Sequence, residues 1–151
     1  MNQNFKKNKI LWIVGFYPSS NLDWAGIFFK RNADELAKNK DINLTIVHYI
    51  KISKFFNKTS YYKRNYRLIR VPILNFKILN LIGLVEIQII ILNFILFKII
   101  DPIIVHGHYF YPFGSCLRLI SKKRKGFVTI IGSDINIDAE KIPKVKKILK
   151  R

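Results

Sequence analysis

Apolar runs of strand length alternate along this chain with longer segments of helical spacing. The apolar runs lie at 9–16, 42–50, 66–71, 102–106 and 126–131. The helical segments lie at Ile27–Lys38, 76–99, 114–123 and from Ala139 onward. Continuous apolar runs are typical of strands buried on both faces, and their alternation with helices indicates parallel strands joined by helical crossovers. The pattern predicts one α/β domain, an open parallel sheet with helices on both faces.

Local residue types predict where these elements end and which way they face. Pro72 is expected to end the third strand, because proline cannot donate to the strand ladder. Asn39 is a plausible stop for the first helix. The residues of that helix predicted to face the sheet are Phe28, Ala33, Leu36 and Ala37.

The segment 78–97 is hydrophobic enough to be weighed as a membrane span. It has fifteen strongly apolar residues in twenty, but Asn80, Gly83, Glu86, Gln88 and Asn93 interrupt it. The acid, the amides and the glycine offset most of the insertion free energy of the apolar residues. Because both flanking segments are basic, the positive-inside rule favours no orientation of a membrane span. A helix packed against the sheet is the preferred interpretation, and a membrane-spanning helix is the alternative.

Basic residues form three clusters, at 51–70, in "KKRK" at 122–125 and in the tail "KVKKILKR", and the first is the most informative. The 151 residues carry a formal charge of +18, and no Asp or Glu occurs between Asp41 and Glu86. Aromatic residues are interleaved with the cations there, in "KFFNKTSYYKRNYRLIR". This mixture favours an anionic membrane surface over solvated loops; nucleic acid is not favoured, because no nucleic-acid-binding motif is present. The residues predicted to meet the membrane are Lys51, Lys54, Lys58, Lys63, Arg64 and Arg67.

The loops that follow the predicted strands carry the candidate chemistry, because ligands of open parallel sheets bind at the carboxyl ends of the strands. Gly26 precedes a helix, where backbone N–H groups can approach an anion, although a glycine required only by the turn is as good an explanation. No G-x-G-x-x-G motif is present. Gly132, Ser133 and Asp134 follow the last strand and either cap a turn or bind sugar hydroxyls.

Two of the three histidines, His106 and His108, are separated by one residue at the end of a strand. In an extended chain they lie on one face. A zinc site needs a third ligand, and neither Cys116 nor His48 lies at a recognisable spacing, so we expect no metal. Nearer the buried strand, His106 is expected to be a core imidazole bonded to backbone. His108, on the loop side, is the candidate for hydrogen bonding or acid–base work.

Three stretches of the chain are distinctive: "FYPSSNLDWAGIFFKRNADELAK" (16–38), "DPIIVHGHYFYPFGSCLRLISKK" (101–123) and "FVTIIGSDIN" (127–136). Together they resemble the N-terminal domain of family-4 glycosyltransferases of the GT-B fold. They resemble, in order, the family's proline-containing glycine loop, its D-x-I-H-x-H strand with the following aromatics, Pro and Gly, and its G-S-D loop. One departure is Ile131, where the family often has His or Arg.

The resemblance implies a single, incomplete Rossmann-like N-terminal half, residues 1–151, of a retaining enzyme that transfers sugar from a nucleotide-sugar donor. It implies a catalytic role for His108 at the reacting sugar, and no cofactor beyond the donor substrate. The positions that it implies for substrate binding are Gly26, Tyr109, Pro112, Gly114, Gly132, Ser133 and Asp134.

The family's donor-binding second domain has no counterpart in the chain. We therefore expect the acceptor-side half, with little or no activity alone, to meet a glycan or lipid-linked acceptor and a separately encoded donor domain. The single cysteine permits no internal disulfide, which fits a reducing compartment such as the cytoplasm. The basic region predicts a peripheral location at the inner face of the plasma membrane. The alternative function is a non-catalytic, membrane-associated or anchored binding protein.

Overall fold

Five parallel strands form one sheet at the centre of the molecule. The computed structural model describes residues 8–18, 26–56, 65–74, 84–109, 113–114, 117 and 124–130. The strands are β1 (Asn8–Val14), β2 (Ile42–Lys51), β3 (Arg67–Ile73), β4 (Ile104–His108) and β5 (Lys125–Thr129). The helices are α1 (Ile27–Leu36), α2 (Ile52–Phe55) and α3 (Leu84–Ile100).

The strand order is β3-β2-β1-β4-β5, and every neighbouring pair is parallel. The chain therefore winds outward from β1 in one direction and then crosses back to continue in the other. This is the Rossmann-like α/β fold that the alternation of apolar and helical segments predicted. The edge of the sheet at which the strands end is called the carboxyl edge below.

The core consists of two apolar layers, one on each face of the sheet. On one face, Phe29 and Ala33 of α1 pack against Trp12, Val14 and neighbouring side chains. The other face is covered by α3, whose buried residues join those of the strands. The buried members contributed by α3 are Val85, Ile89, Phe97 and Ile100. Helices therefore lie on both faces, and the described part of the 76–99 helix packs against the sheet as expected.

Hydrogen-bonded side chains fix elements within each layer. On the α1 face, the Tyr66 hydroxyl lies within hydrogen-bonding distance of Asp34 of α1 (3.0 Å) and of the Tyr17 hydroxyl beyond β1. Burial and these neighbours raise the pKa of Tyr66 well above its usual range. On the α3 face, the Tyr49 hydroxyl donates to Asn93 Oδ1 at 2.6 Å. Asn93, which interrupts the apolar run of α3, thus ties that helix to β2.

Several predicted boundaries and orientations are wrong. β3 runs through Pro72, because β3 is an edge strand and can accommodate a residue without an N–H. β4 extends to His108, so this histidine belongs to a strand. In α1, Phe29 is buried and Phe28 is 57% exposed. The short helix α2 occupies part of the predicted basic loop.

Candidate functional site

The start of α1 is pressed against the chain leaving β1. Gly26 adopts the left-handed conformation, with φ of 79°. A Cβ at this position would lie 2.8 Å from the carbonyl carbon of Phe16 and 2.9 Å from Cα of Tyr17. Because both neighbours are backbone atoms, the conformation and the close approach each require glycine. The first turn of α1 is thereby held at the carboxyl edge, beside the end of β1.

His106 and His108 lie side by side on the α1 face, as expected for an extended strand. Their ring centroids are 4.0 Å apart. His108 is 3% exposed and lies with its centroid 4.8 Å from both the Trp12 and the Phe29 rings. Neither of its ring nitrogens has a hydrogen-bond partner among the described residues. His106 is more accessible, and its Nε2 lies 2.6 Å from Thr129 Oγ1.

The expected division between the two histidines is therefore reversed. His108 was placed on the loop side and His106 nearer the core, but α1 covers the end of β4 with the Phe29 ring, so His108 is the more buried. The described partner of His106 is a side-chain hydroxyl of the neighbouring strand, where a backbone group was expected. The spacing of His106 and His108 predicted that they share a face, but how deeply each is buried depends on where α1 lies.

Burial keeps both imidazoles uncharged near neutral pH. It lowers the pKa of His108 to about 3, and the adjacent His106 adds to the effect. Burial also lowers the pKa of His106. A neutral imidazole offers one N–H donor and one nitrogen acceptor, and it carries no charge to attract a phosphate. The pair is thus suited to hydrogen bonds with uncharged hydroxyl groups.

A groove of about 510 Å³ runs between α1 and the strands β1, β4 and β5. Its described lining combines aromatic rings, imidazoles, an amide, a hydroxyl and one carboxylate, with no lysine or arginine. Glu35, the carboxylate, pairs with Lys38 at 2.7 Å. Apolar surface with a few directed polar groups is typical of small-ligand sites. The lining residues are Trp12, Phe28, Asn32, Glu35, Leu36, His106, His108 and Thr129.

Tyr109 and Gly114, which with Phe113 are the described residues that follow β4 most directly, lie at the carboxyl edge of the sheet. Tyr109 has φ of 74°, donates its N–H to the Thr129 carbonyl at 3.0 Å, and packs its ring against Phe16 and Phe29. The Gly114 N–H donates a hydrogen bond to the Tyr109 carbonyl at 3.0 Å. A Cβ on Gly114 would meet this carbonyl oxygen at 2.8 Å. Gly26, His108, Tyr109 and Gly114 are therefore brought together at the ends of β1 and β4.

The other predicted site residues are divided between exposed and undescribed positions. Lys51, Lys54 and Arg67 are exposed in and around α2 and β3. Pro112, Gly132, Ser133, Asp134, Lys58, Lys63 and Arg64 lie outside the described residues. Within the described ranges, no group of three His, Cys, Asp or Glu side chains could hold a metal ion.

Sequence reasoning did not find Trp12, Asn32, Glu35 or Thr129. Asn32 and Glu35 are three residues apart on one helix face, and Trp12 lies opposite His106 in the sheet register. The first relationship is visible in the sequence once the helix is predicted, whereas the second becomes visible only when the strand order is known. In a comparison with models of known protein families and with curated proteins, no match is found.

Proposed function

We propose that this chain is the acceptor-side domain of a retaining glycosyltransferase of the family-4 type, and that the groove holds a glycan or the glycan of a lipid-linked acceptor. The three resembling stretches support this proposal, because their described parts flank the groove. The observation that carries the proposal is His108, on the floor of a groove that is otherwise mostly uncharged. Its imidazole is neutral, and its hydrogen-bonding capacity is unused among the described residues.

The proposed roles follow from the chemistry of each lining group. The Trp12 and Phe28 rings offer apolar surface to the C–H faces of a sugar. Asn32 and His106 exchange hydrogen bonds with hydroxyls. His108 binds a hydroxyl of the reacting sugar; because both of its ring nitrogens are buried in the chain alone, acceptor binding must first expose one of them. With a pKa of about 3 it is too weak a base to remove a proton near pH 7, so it positions and polarises.

The described groove suits an acceptor better than a nucleotide-sugar donor. A diphosphate is commonly bound by arginine, lysine or a metal ion. The described lining contains no arginine and no lysine. In the resembling family these groups belong to the second domain. We therefore propose that this polypeptide alone binds acceptor and transfers no sugar.

Saturation-transfer NMR against a panel of neutral glycans and nucleotide sugars tests the binding role. We expect a neutral glycan to bind, and His108→Phe to weaken its affinity roughly two- to tenfold, the value of one hydrogen bond. His48→Phe is the matched control, because His48 is also a buried histidine on the α1 face but does not line the groove. Equal losses in the two variants, or binding of nucleotide sugars alone, would count against the site.

A radiolabelled sugar-transfer assay tests the second part of the proposal. The chain alone is expected to give no product above background. Turnover comparable to that of a two-domain enzyme would show that a complete donor site exists within these residues, and the acceptor-side assignment would then be wrong.

We further propose that the protein works as a peripheral protein at an anionic membrane surface, at the inner face of the plasma membrane, where a lipid-linked acceptor would be presented. The described support is α2 with its flanks: Lys51 and Lys54 are exposed beside Ile52, and Phe56 is 82% exposed. Cations mixed with exposed apolar groups suit lipid headgroups. Vesicle flotation with and without anionic lipid tests this location, and equal binding to neutral vesicles would refute the electrostatic part. Among the described residues, no helix combines the length and hydrophobicity needed to cross a bilayer.

A further inference from the structure

Among the described residues, none covers the outward face of α3, which is apolar. The inward face contributes Val85, Ile89 and Phe97 to the core. The outward face exposes large apolar side chains, each between 38% and 70% accessible, at helical spacing. We call this surface the α3 stripe: Leu84, Ile87, Ile91, Phe94, Ile95 and Ile99.

A contiguous stripe of this kind indicates a binding surface. Single exposed apolar residues are ordinary in folded proteins, but a continuous patch is typical of a site that contacts a partner or a membrane. A helix that is apolar all round is normally covered on every side. Within the described part of the chain the sheet covers one side of α3, which leaves the stripe available to a second partner.

The stripe continues toward the exposed apolar groups of α2. The Gln88 side chain bonds both backbone groups of Leu74, accepting at 3.0 Å and donating at 3.2 Å, which holds the first half of α3 against the end of β3. Leu74 is itself exposed. In the ladder, Lys51 lies opposite Ile73, so α2 begins beside the end of β3. The α3 stripe and the basic, aromatic corner at α2 therefore both adjoin the carboxyl end of β3.

The charges around the stripe favour a lipid surface over a second copy of the chain. The outward face of α3 presents no carboxylate: Glu86 is buried, and Asp101, just beyond the helix, pairs with Arg124 at 3.1 Å. Lys98 extends its Nζ to 4.7 Å from the Phe94 ring centroid, as a cation does at the border of an apolar surface. A chain of formal charge +18 repels its own copies and is attracted to anionic headgroups.

We infer that α3 lies in the plane of an anionic bilayer surface, with the α3 stripe buried among the headgroups and upper acyl chains and its opposite face still packed on the sheet. Apolar insertion supplies part of the binding, and the cations near α2 supply the electrostatic part. The inference deepens the proposed membrane location and rests on it, but it makes no use of the groove or of sugar transfer.

Flotation with vesicles containing phosphatidylglycerol, at low and at high salt, tests the inference. Phe94→Gln is expected to lower the vesicle-bound to free ratio several-fold at both salt concentrations, because the lost contribution is apolar burial. Phe127→Gln is the matched control: Phe127 is 55% exposed and Phe94 53%, but Phe127 lies on the α1 face of the sheet. We expect the control to bind as the parent does.

Each surface is then tested separately. The pair Lys51→Glu and Lys54→Glu is expected to lower binding at low salt and to change it little at high salt, since screening already removes that attraction. Loss in this variant without loss in Phe94→Gln would leave the proposed membrane location standing and refute the role of the α3 stripe. No binding by the parent would refute both.

A direct measurement complements the variants. A polarity-sensitive dye on Ile91→Cys, in a Cys116→Ser background, is expected to shift to the blue on vesicle addition, whereas the same dye on Phe127→Cys is not. A blue shift at Ile91→Cys that grows with protein concentration in the absence of vesicles would identify a second copy of the chain as the partner and overturn the inference.

Discussion

Substituting His108 by phenylalanine is expected to stabilise the domain while weakening acceptor binding. The imidazole lies between the Trp12 and Phe29 rings, and neither of its nitrogens has a partner among the described residues. A phenyl ring keeps the aromatic contacts and removes two buried polar atoms, so we expect a gain of about 1 kcal/mol in the free energy of unfolding at pH 7.5.

The same substitution is expected to flatten the acid dependence of stability. The pKa of His108 is lowered from 6.5 to about 3. Between these values the unfolded chain binds a proton that the folded chain does not, so stability falls as the pH falls from 6.5 towards 3. At about 1.4 kcal/mol per pKa unit, His108 alone costs about 2 kcal/mol at pH 5 relative to pH 7.5.

Urea denaturation of the parent and of His108→Phe at pH 7.5, 6 and 5, followed by circular dichroism, measures both effects. His108→Gln is the control for titration: it carries no ionisable group, so it should also lose the acid dependence, but it keeps polar atoms in an apolar site and should not gain stability at pH 7.5. If the parent and His108→Phe lose stability in parallel between pH 7.5 and pH 5, the buried neutral histidine is not the titrating group and the reasoning fails.

Substitutions at three further positions test the packing, two of them at the site and one on the α3 face. Gly26→Ala is expected to lower the free energy of unfolding by about 2–4 kcal/mol, because alanine disfavours the left-handed conformation and its Cβ would clash with backbone atoms. Asparagine tolerates that conformation, but Gly26→Asn should be nearly as destabilising because its Cβ makes the same clash. Tyr49→Phe should cost about 1–3 kcal/mol in urea denaturation, by removing the donor to buried Asn93. Thr129→Val, by removing the partner of His106 Nε2, should cost about 1 kcal/mol and lower acceptor affinity in the same NMR titration; unchanged affinity would separate His106 from the site.

The sheet was predictable because its strands are long apolar runs separated by helices. All five predicted strands are present, and the register places Trp12 beside His106, which no sequence motif signals. The helix faces were less predictable: Phe28 and Phe29 are identical neighbours, and a rotation of about 100° decides which of them is buried. Pro72 was misplaced because its effect depends on whether the strand is an edge strand, a property of the whole sheet.

The candidate site was predictable only as a location. Glycine and histidine at strand ends indicated the carboxyl edge, and the structure brings Gly26, His108, Tyr109 and Gly114 to it. The groove walls come from elements distant in sequence, so their composition depended on strand order and on the position of α1. The burial of His108 likewise depends on Phe29, which is absent from the sheet-facing residues predicted for its helix.

Pro72 in β3 has a consequence for self-association. An edge strand offers unpaired backbone groups to other chains, and a proline withholds one of these donors, so β3 is poorly suited to pairing with a further strand. The other outer strand of the described sheet is β5. Strand-to-strand association through the described sheet is then expected to use the β5 strands of two molecules, which yields a closed two-fold pair and leaves no well-suited edge from which a fibre can grow.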